Sequence, residues 1–308
     1  MESKKIVVVG STNMDMVVKT THIPVPGETV LAGSFFMNPG GKGANQAVTI
    51  ARLGGEVAFI SKVGNDVFGK QSSQLFDEEG INTFYVLSDD ELPSGVALIT
   101  VDQSGENSIV VASGANANLL PEDIKEALSE INKAGILLMQ LEIPMETVHF
   151  VAKYAAENGL RVIVNPAPMN TLTPELLRYI DILTPNKTEA EMLSGINVTN
   201  IEDAKKAAST ICEMGVKNVV VTMGALGAVI CQEGKIEAVS SEKVEAIDST
   251  AAGDVFNGAL AVALSEGKLL AEAVEFACLS AAISVTRMGA QSSIPYRNEL
   301  IARMDRRK

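Results

Sequence analysis

The chain has 308 residues, of which 46% are hydrophobic and 20% are charged, as in an ordinary globular protein. Its formal net charge is −13, whereas nucleic acids and anionic membranes attract basic protein surfaces. This charge argues against both as partners. A small anion held by backbone N–H groups at a helix N-terminus remains open.

The cysteines and the apolar segments indicate the type of compartment. The three cysteines are scattered and form no CxxC motif or Cys/His cluster, so neither a disulfide framework nor a zinc site is predicted. The N-terminal apolar run is too short for a signal peptide. No segment approaches the ~20 apolar residues of a membrane span. We expect a cytoplasmic protein.

Predicted strands and helices alternate along most of the chain. Short β-branched runs indicate buried strands at residues 5–10, 57–63, 136–140, 161–165, 182–184 and 218–222. Helical patterns cover residues 42–53, 68–79, 121–131, 145–158, 187–193, 201–214, 253–266, 269–285 and 297–307. This order predicts an α/β fold, a doubly wound and mostly parallel sheet flanked by helices on both faces.

Two regions interrupt this alternation. Residues 14–38 show alternating polarity and turn signals, and residues 94–113 resemble a hairpin around residues 102–106. Together they predict a small, mainly antiparallel sheet that stands off the main one. Its apolar face needs a cover, which a substrate, a second subunit or both could provide.

Polar residues follow several of the predicted parallel strands, where ligands bind in open sheets. Asn13 and Asp15 follow the first strand, Glu142 follows residues 136–140, and Asn186 and Glu189 follow residues 182–184. The segment MGALG follows residues 218–222. We therefore expect a site along this edge of the sheet.

Two segments near the N-terminus have both a functional and a structural interpretation. Residues 40–46, GGKGANQ, allow close backbone approach and place Lys42 at a helix start, but they do not form a Walker A loop. A capped glycine turn explains them equally well. Asn13 and Asp15 suit a polyol, because a carboxylate accepts from neighbouring hydroxyls and an amide donates and accepts. An Asx turn is the alternative. The dinucleotide-binding motif GxGxxG is absent here.

Two segments further along the chain leave similar choices. Gly224 and Gly227 would provide a flat surface for a planar base, or simply a turn to another strand. Asn186 and Glu189 lie one helical turn apart and could reach a hydrated Mg²⁺, or they could mark an ordinary helix start.

The segment DSTAAGD precedes an apolar helix and has more polar and small residues than a helix start requires. Ala251, Ala252 and Gly253 let backbone N–H groups approach an anion. Beside them, Asp254 would take the proton of a sugar hydroxyl while the N–H groups stabilise a transferring phosphoryl group. Asp248 and Thr250 offer oxygens for a cation. The segment therefore indicates phosphoryl transfer.

GGKGAN and DSTAAGD resemble the two signatures of the PfkB carbohydrate kinase family, and the likeness covers the whole chain, including NPAP, TPNKTE and TRMGAQSS. The combination with Asn13, Asp15 and Glu142 is most similar to members that phosphorylate free ribose. The resemblance implies one kinase domain, residues 1–308, that uses ATP to phosphorylate D-ribose at O-5. It also implies a lid inserted at about residues 14–38 and 94–113, which joins two subunits into a homodimer.

The resemblance assigns roles residue by residue. Asp254 would be the general base, with Ala251, Ala252 and Gly253 as the anion hole. Ribose would be bound, together with Asp254, by Asn13, Asp15, Gly41, Lys42, Gly43, Asn45 and Glu142. ATP would contact Asn186, Thr222, Gly224, Ala225, Gly227, Gly253 and Cys278, with Glu189 acting indirectly on Mg²⁺. An activating K⁺ would take the side chains of Asp248, Thr250 and Ser293 and the backbone carbonyls of Ser284, Arg287 and Gly289.

Two residues depart from the family pattern. Cys278 stands where related enzymes often have a larger polar residue beside the adenine, and Ser249 replaces a commoner Thr. Four alternatives stay open. A deoxyribose kinase would tend to have an apolar residue in place of Asn13, and a nucleoside kinase fits Lys42 and Glu142 less well. A non-catalytic sensor would have lost Asp254, and a dehydrogenase would need GxGxxG.

Overall fold

The computed structural model describes residues 4–31 and 33–306. These residues form thirteen strands: β1 (Ile6–Val9), β2 (Asn13–Lys19), β3 (Ser34–Gly40), β4 (Val57–Gly64), β5 (Asn82–Asp89), β6 (Gly95–Val101), β7 (Asn107–Ala112), β8 (Ile136–Met139), β9 (Arg161–Val164), β10 (Ile182–Leu183), β11 (Asn218–Thr222), β12 (Ala228–Gln232) and β13 (Lys235–Val239).

The same residues form ten α-helices: α1 (Lys42–Arg52), α2 (Val67–Glu78), α3 (Pro121–Ile131), α4 (Met145–Glu157), α5 (Pro174–Arg178), α6 (Lys187–Ser194), α7 (Ile201–Glu213), α8 (Ala252–Ser265), α9 (Leu270–Ser284) and α10 (Arg297–Asp305). In this part of the chain, no helix is both long and apolar enough to cross a membrane.

Nine strands form the large sheet, in the order β13-β12-β11-β10-β9-β8-β1-β4-β5. The strands from β11 to β5 are parallel to one another, and β12 and β13 complete one edge as an antiparallel hairpin. The prediction of a doubly wound, mostly parallel sheet is confirmed.

Helices cover both faces of this sheet because its central strands are apolar on both sides. In β1, Val7 and Val9 pack toward α3–α7, whereas Ile6 and Val8 pack toward α1, α2 and α8–α10. All four side chains are fully buried. Burying each aliphatic side chain of this size contributes about 1.5–3 kcal/mol to folding, so β1 anchors the two helical layers to one another.

The small sheet has four strands in the order β3-β2-β6-β7. The pairs β2–β3 and β6–β7 are antiparallel, while β2 and β6 run parallel. The predicted hairpin is confirmed, with its loop at residues 102–106 between β6 and β7. Because β2 follows β1 directly, the small sheet rises from the carboxyl end of β1, an interior strand of the large sheet.

Several elements differ from the sequence predictions. Strand β5, helix α5 and the β12–β13 hairpin were not predicted. In the structure, Glu233 and Gly234 form the turn of this hairpin, and both have the positive φ that a tight hairpin turn requires. The last helix was predicted to end at residue 307, which lies outside the described residues; the structure ends it at Asp305.

Candidate active site

The candidate site lies where the strand order of the large sheet reverses. Strands β1 and β8 are neighbours, but the chain leaves β1 toward β4 on one side and leaves β8 toward β9 on the other. The carboxyl ends of two such strands open a crevice between their connections, and ligands of open α/β sheets bind there. The segments after β1 and β8 and the N-termini of α1 and α8 line this crevice.

Two glycines allow α1 to begin against the end of β1. Gly41 has φ of 91°, a conformation that favours glycine. A Cβ on Gly43 would lie 2.6 Å from the carbonyl carbon of Gly10, which is too close for any side chain. The first turn of α1 therefore rests on backbone, and Lys42, Asn45 and Gln46 enter the crevice.

Lys42 and Glu142 meet across the crevice. Glu142 accepts hydrogen bonds from the Ser11 hydroxyl at 2.5 Å and from the Lys42 backbone N–H at 3.1 Å. Nζ of Lys42 lies 3.8 Å from Oε1 of Glu142. The connection after β8 is thereby joined to the first turn of α1.

Asp254 lies in the first turn of α8 and is only 6% exposed. Its two oxygens accept hydrogen bonds from successive residues of α1: Nδ2 of Asn45 donates to Oδ2 and Nε2 of Gln46 donates to Oδ1, each at 2.9 Å. Contacts between α1 and α8 therefore fix the orientation of this carboxylate.

A chain of buried amides lies behind Asp254. Gln140 donates from Nε2 to Oε1 of Gln46 at 2.6 Å, and Gln46 also lies 3.4 Å from Oδ1 of Asn165. Two buried oxygens, Oδ1 of Asn45 and Oε1 of Gln140, accept no hydrogen bond within the described structure. Buried polar atoms are normally satisfied, so these two acceptors are suited to a ligand or ordered water.

Asn13 and Asp15 project from successive positions on one face of β2. Asn13 is buried, and its Oδ1 accepts from Nδ2 of Asn116 at 2.8 Å, which directs its own amide N–H₂ group elsewhere. Asp15 lies against Gly40, where a Cβ would come within 2.3 Å of the carboxylate. Gly40 therefore leaves the space that the Asp15 side chain occupies.

Several carboxylates share this crevice, and their mutual repulsion changes how they titrate. Burial, assisted by the negative charges of Glu142 and Asp254, raises the pKa of Asp15 to about 7. Burial also raises the pKa of Asp254, outweighing the opposing effects of Lys42 and the two amide donors.

Lys42 is the cation at the centre of this group. Burial alone would lower the pKa of Lys42, but the surrounding carboxylates outweigh burial and raise it. These carboxylates belong to Asp254, Glu142, Glu189 and Asp15. Lys42 therefore stays charged and partly balances the negative charge of the crevice.

The N-terminus of α8 has an unusual backbone. Ala251, its first flanking residue, has φ of 59°, and no side chain caps the helix. A non-glycine residue in this left-handed region costs roughly 1–3 kcal/mol and often marks a functional site. A Cβ on Gly253 would meet no atom within 4 Å, so its surface is open. This terminus has the backbone geometry of an anion site.

The segment before α8 is tied to the end of α9. Oδ1 of Asp248 accepts from the backbone N–H of Thr250 at 2.9 Å and from its hydroxyl at 2.6 Å, and Oδ2 accepts from the N–H of Gly289 at 2.8 Å. Burial opposes ionisation of Asp248, but these hydrogen bonds outweigh it and lower its pKa. Asp248 is therefore anionic at neutral pH.

Other residues predicted around Asp248 have different partners. The Ser284 hydroxyl donates to the Ala281 carbonyl, and the Ser293 hydroxyl donates to that of Ala290. The Arg287 side chain pairs with Glu299. Within residues 4–31 and 33–306, no group of three or more His, Cys, Asp or Glu side chains could hold a metal. A cation here would depend mainly on backbone carbonyl and hydroxyl oxygens.

Asn186 and Glu189 form a capping box at the start of α6. Oδ1 of Asn186 accepts from the N–H of Glu189 at 2.9 Å, and Glu189 Oε2 accepts from the N–H of Asn186 at 2.8 Å. Asn186 also pairs with Thr222 at the end of β11. Glu189 therefore marks an ordinary helix start, as one of the two sequence interpretations held. Its Oε1 has no hydrogen-bond partner in the described structure.

The MGALG segment forms a single 3-10 turn, Gly224–Leu226, between β11 and β12. Gly224 and Gly227 both have positive φ, and a Cβ on Gly227 would lie 1.9 Å from the Val239 carbonyl oxygen. Ala225 is exposed at the tip of the turn. The glycines shape this turn, which lies beside the Asn186–Thr222 pair.

Cys278 lies on α9 beside β13. It lines a cavity of about 370 Å³ together with Val239, Ser240 and the carboxylates Glu237, Glu242 and Glu275. Burial raises the pKa of the thiol to about 12, so Cys278 stays protonated and acts as a small apolar side chain.

The structure adds residues to the site that the sequence analysis did not single out. They share hydrogen bonds to predicted site residues or to one another: Ser11, Gln46, Asn116, Gln140 and Asn165. Gln46 stands in the segment GGKGANQ and Gln140 ends the predicted strand at residues 136–140, so position along the chain was a usable signal for both. Nothing local marked Asn116.

Known proteins resemble the chain along nearly its whole length. The pfkB family carbohydrate kinase pattern matches residues 3–297. A ribokinase of Haemophilus influenzae is 46% identical, and the alignment covers 97% of each chain. A deoxyribokinase of Salmonella typhi is 38% identical, over 94% of this chain and 95% of the relative. A structure of Arabidopsis thaliana ribokinase complexed with ribose and ATP matches with TM-score 0.91 and 36% identity over 98% of each chain. The chain belongs to the pfkB family of carbohydrate kinases.

Proposed function

We propose that the protein is a ribokinase, which transfers the γ-phosphoryl group of ATP to O-5 of D-ribose and yields D-ribose 5-phosphate and ADP. The relatives support this proposal, since one is named a ribokinase and a solved structure of similar fold is a ribokinase complexed with ribose and ATP. The observation that carries the mechanism is the position of Asp254, a buried carboxylate held by two amides at the open N-terminus of α8.

The sugar would lie in the crevice between β1 and β8. Asp15 and Glu142 would accept from ribose hydroxyls, and the free amide N–H₂ group of Asn13 would donate to one. Lys42 would offset the carboxylate charge, and Oδ1 of Asn45 would gain a donor that it lacks. Gly41 and Gly43 would contribute by keeping the floor of the crevice free of side chains.

Asp254 would act as the general base. The carboxylate takes the proton of the 5-hydroxyl as the new O–P bond forms and the bond from the γ-phosphorus to the β–γ bridging oxygen breaks, leaving ADP with that oxygen. The backbone N–H groups of Ala251, Ala252 and Gly253 would face the equatorial oxygens of the transferring group. Fixed donors in a buried site stabilise this charge without reorganising.

ATP would extend from the N-terminus of α8 toward β11 and α9. The phosphates would meet Gly253, with Asn186 and Thr222 beside them, while Gly224, Ala225 and Gly227 would present backbone. The cavity at Cys278 is lined by carboxylates, so it suits an uncharged base better than a phosphate.

A Mg²⁺ ion bound with ATP would neutralise phosphate charge. Glu189 would contribute indirectly to binding this ion. One of its carboxylate oxygens is engaged in the capping box, and the charge of Glu189 interacts with Lys42 and Asp254. Glu189 would reach the ion through water.

A K⁺ ion would lie next to the anion hole and add positive charge there. The oxygens of Asp248 and Thr250 fit it, because Asp248 is anionic and its three recorded hydrogen bonds leave acceptor capacity. Backbone carbonyls of Ser284, Arg287 and Gly289 and the hydroxyl of Ser293 would complete the ligands. The Ser284 carbonyl already accepts from the N–H of Arg287, which it would have to share.

We also infer a homodimer through the small sheet, which would act as the lid of the single kinase domain. Its register aligns Met37, Met16, Leu98 and Val110 across all four strands on the face opposite Asp15. Met37, Leu98 and Val110 are between 47% and 64% exposed. Leu98→Glu should convert a dimer into monomers in sedimentation velocity; a wild-type monomer at micromolar concentration would contradict the inference.

A deoxyribose kinase is the second candidate, because a deoxyribokinase is also similar to the chain. Asn13 favours ribose, since a buried amide is better satisfied by a sugar that has a 2-hydroxyl. ADP formation in a coupled assay with ribose, 2-deoxyribose and adenosine tests the choice. The proposal requires the highest kcat/KM for ribose, and equal or higher values for either competitor would overturn it.

A further inference from the structure

A second cleft lies at the amino ends of the parallel strands, whereas the candidate active site lies at their carboxyl ends. It has a volume of about 590 Å³ and is lined by the starts of β8 and β9, the residues before β10 and β11, and the C-terminal end of α8. Helix α8 has 14 residues, so this end lies ~20 Å from the turn that holds Asp254. The two sites are therefore distinct.

The cleft is basic although the protein is strongly acidic. Its lining includes four cations, Lys4, Arg161, Lys217 and Lys268, and one carboxylate, Asp181. Among the described ion pairs, Lys217 has a carboxylate partner, Asp181, whereas the other three cations have none. The cleft is therefore a local excess of positive charge on a chain whose net charge is −13.

Backbone hydrogen bonds fix the main chain at two of these cations, Lys4 and Arg161. The backbone N–H of Lys4 donates to the Ser265 carbonyl at 3.2 Å, and its side-chain stem crosses Gly135, where a Cβ would lie 2.4 Å from Cδ. Arg161 begins β9, and its N–H donates to the Gly135 carbonyl at 3.1 Å. The backbones of Lys4 and Arg161 are thus held on either side of Gly135.

The carboxylate in the cleft is already engaged. Oδ1 of Asp181 pairs with Nζ of Lys217 at 2.5 Å, and Oδ2 accepts from the N–H of Val162 at 2.8 Å. Asp181 therefore positions Lys217 and neutralises only that one of the four cations.

The ends of α4 and α8 account for part of this positive charge, since cations stabilise helix C-termini. Lys268 follows α8 and can serve that role. Lys4 precedes β1 and Arg161 begins β9, so helix ends do not explain the whole cluster. The lining also includes Leu269, which is 72% exposed. A cleft that combines several cations with an exposed apolar side chain suits an organic anion with more than one charged group.

We propose that this cleft is a binding site for a small molecule that bears two or more phosphate groups, with Lys4, Arg161 and Lys268 as its principal contacts. Phosphate oxygens accept bidentate hydrogen bonds from a guanidinium and single ones from ammonium groups. Because the three cations lie on different segments, a ligand with linked phosphates engages them better than one phosphate. This site does not depend on the kinase activity.

Calorimetric titration of the full-length protein with inorganic pyrophosphate, and separately with inorganic phosphate, tests the proposal. The test variant is Arg161→Gln/Lys268→Gln. Lys70→Gln/Lys235→Gln is the matched control, because it removes the same charge from exposed lysines on α2 and β13. Thermal melting shows whether each variant folds. Any pyrophosphate bound in the crevice at Asp254 would be retained in both variants.

The proposal predicts a pyrophosphate-binding event that is weakened about tenfold or more in the test variant and unchanged in the control. The event should weaken with added salt, and phosphate should bind less tightly than pyrophosphate. Absence of binding in the wild type, or equal affinity in all three folded proteins, would overturn the site. Equal affinity for phosphate and pyrophosphate would overturn the assignment of a multiply phosphorylated ligand.

Discussion

Gln46 donates from Nε2 to Oδ1 of Asp254 at 2.9 Å, and its own carbonyl oxygen accepts from Gln140 at 2.6 Å. A flip of the Gln46 side-chain amide, which would exchange its oxygen and nitrogen, would break the hydrogen bond from Gln140. Gln46 is therefore held with its N–H₂ group toward the carboxylate. This arrangement favours the ionised form of Asp254 and opposes the effect of burial on its pKa.

Replacing Gln46 with Leu should lower kcat by about tenfold, because Asp254 loses one of its two recorded amide donors. The KM for ribose should change little. The pKa of Asp254 should rise, so the acidic limb of the kcat–pH profile should move to higher pH.

Gln291→Leu provides a matched control for this prediction. Gln291 is 3% exposed, and neither polar atom of its side chain has a hydrogen-bond partner in the described structure. The acidic limb of Gln291→Leu should stay at the wild-type pH, because the recorded amide donors to Asp254 are Asn45 and Gln46. The position of this limb, rather than kcat, is the control readout, since Gln291 lies between the proposed K⁺ ligands Gly289 and Ser293. If Gln46→Leu also leaves the acidic limb in place, Gln46 does not position the base.

The pH dependence of kcat/KM should report Asp15. Its pKa is raised to about 7, so the side chain is protonated below that pH and loses the ability to accept from two hydroxyls. We expect kcat/KM for ribose to fall with decreasing pH through about 7, approaching about tenfold per unit for a single ionisation. The profile of Asp15→Asn should lack this limb while its overall value is lower. An unchanged profile would assign the limb to another group.

The Asp248 loop predicts a dependence on monovalent cations. Replacing K⁺ with tetramethylammonium should depress wild-type activity, because a bulky organic cation cannot fit between Asp248 and the neighbouring carbonyls. Asp248→Asn should lower activity in K⁺ and remove most of the difference between the two salts. Equal rates of the wild-type enzyme in both salts would exclude the proposed cation site.

The buried framework of the fold could be predicted from sequence because it depends on local pattern. Strand β11 has the predicted bounds, and β1 lies within its predicted run, since a continuous β-branched segment is typical of a strand covered on both faces. Strand β5 lies at an edge with mixed exposure, so its pattern is weaker. The β12–β13 hairpin was hidden by a turn at Glu233, a residue that seldom adopts positive φ.

The site was predictable only where its residues stand in compact motifs. Lys42, Asn45 and Asp254 lie in two such segments, and the structure brings Asn45 and Asp254 together across 209 positions of the chain. The partnership of Gln140 with Gln46 spans 94 positions. It arises because β8 ends and α1 begins at the reversal of the strand order, which neither residue's neighbours indicate.

The most direct test of the account is the turnover of Asp254→Asn, measured together with its affinity for ribose. The amide keeps the shape of the side chain but cannot take the hydroxyl proton. The account predicts a kcat lower by about 10²–10⁴ with ribose binding nearly intact, whereas a variant with near-normal turnover would contradict the role of Asp254 as the base.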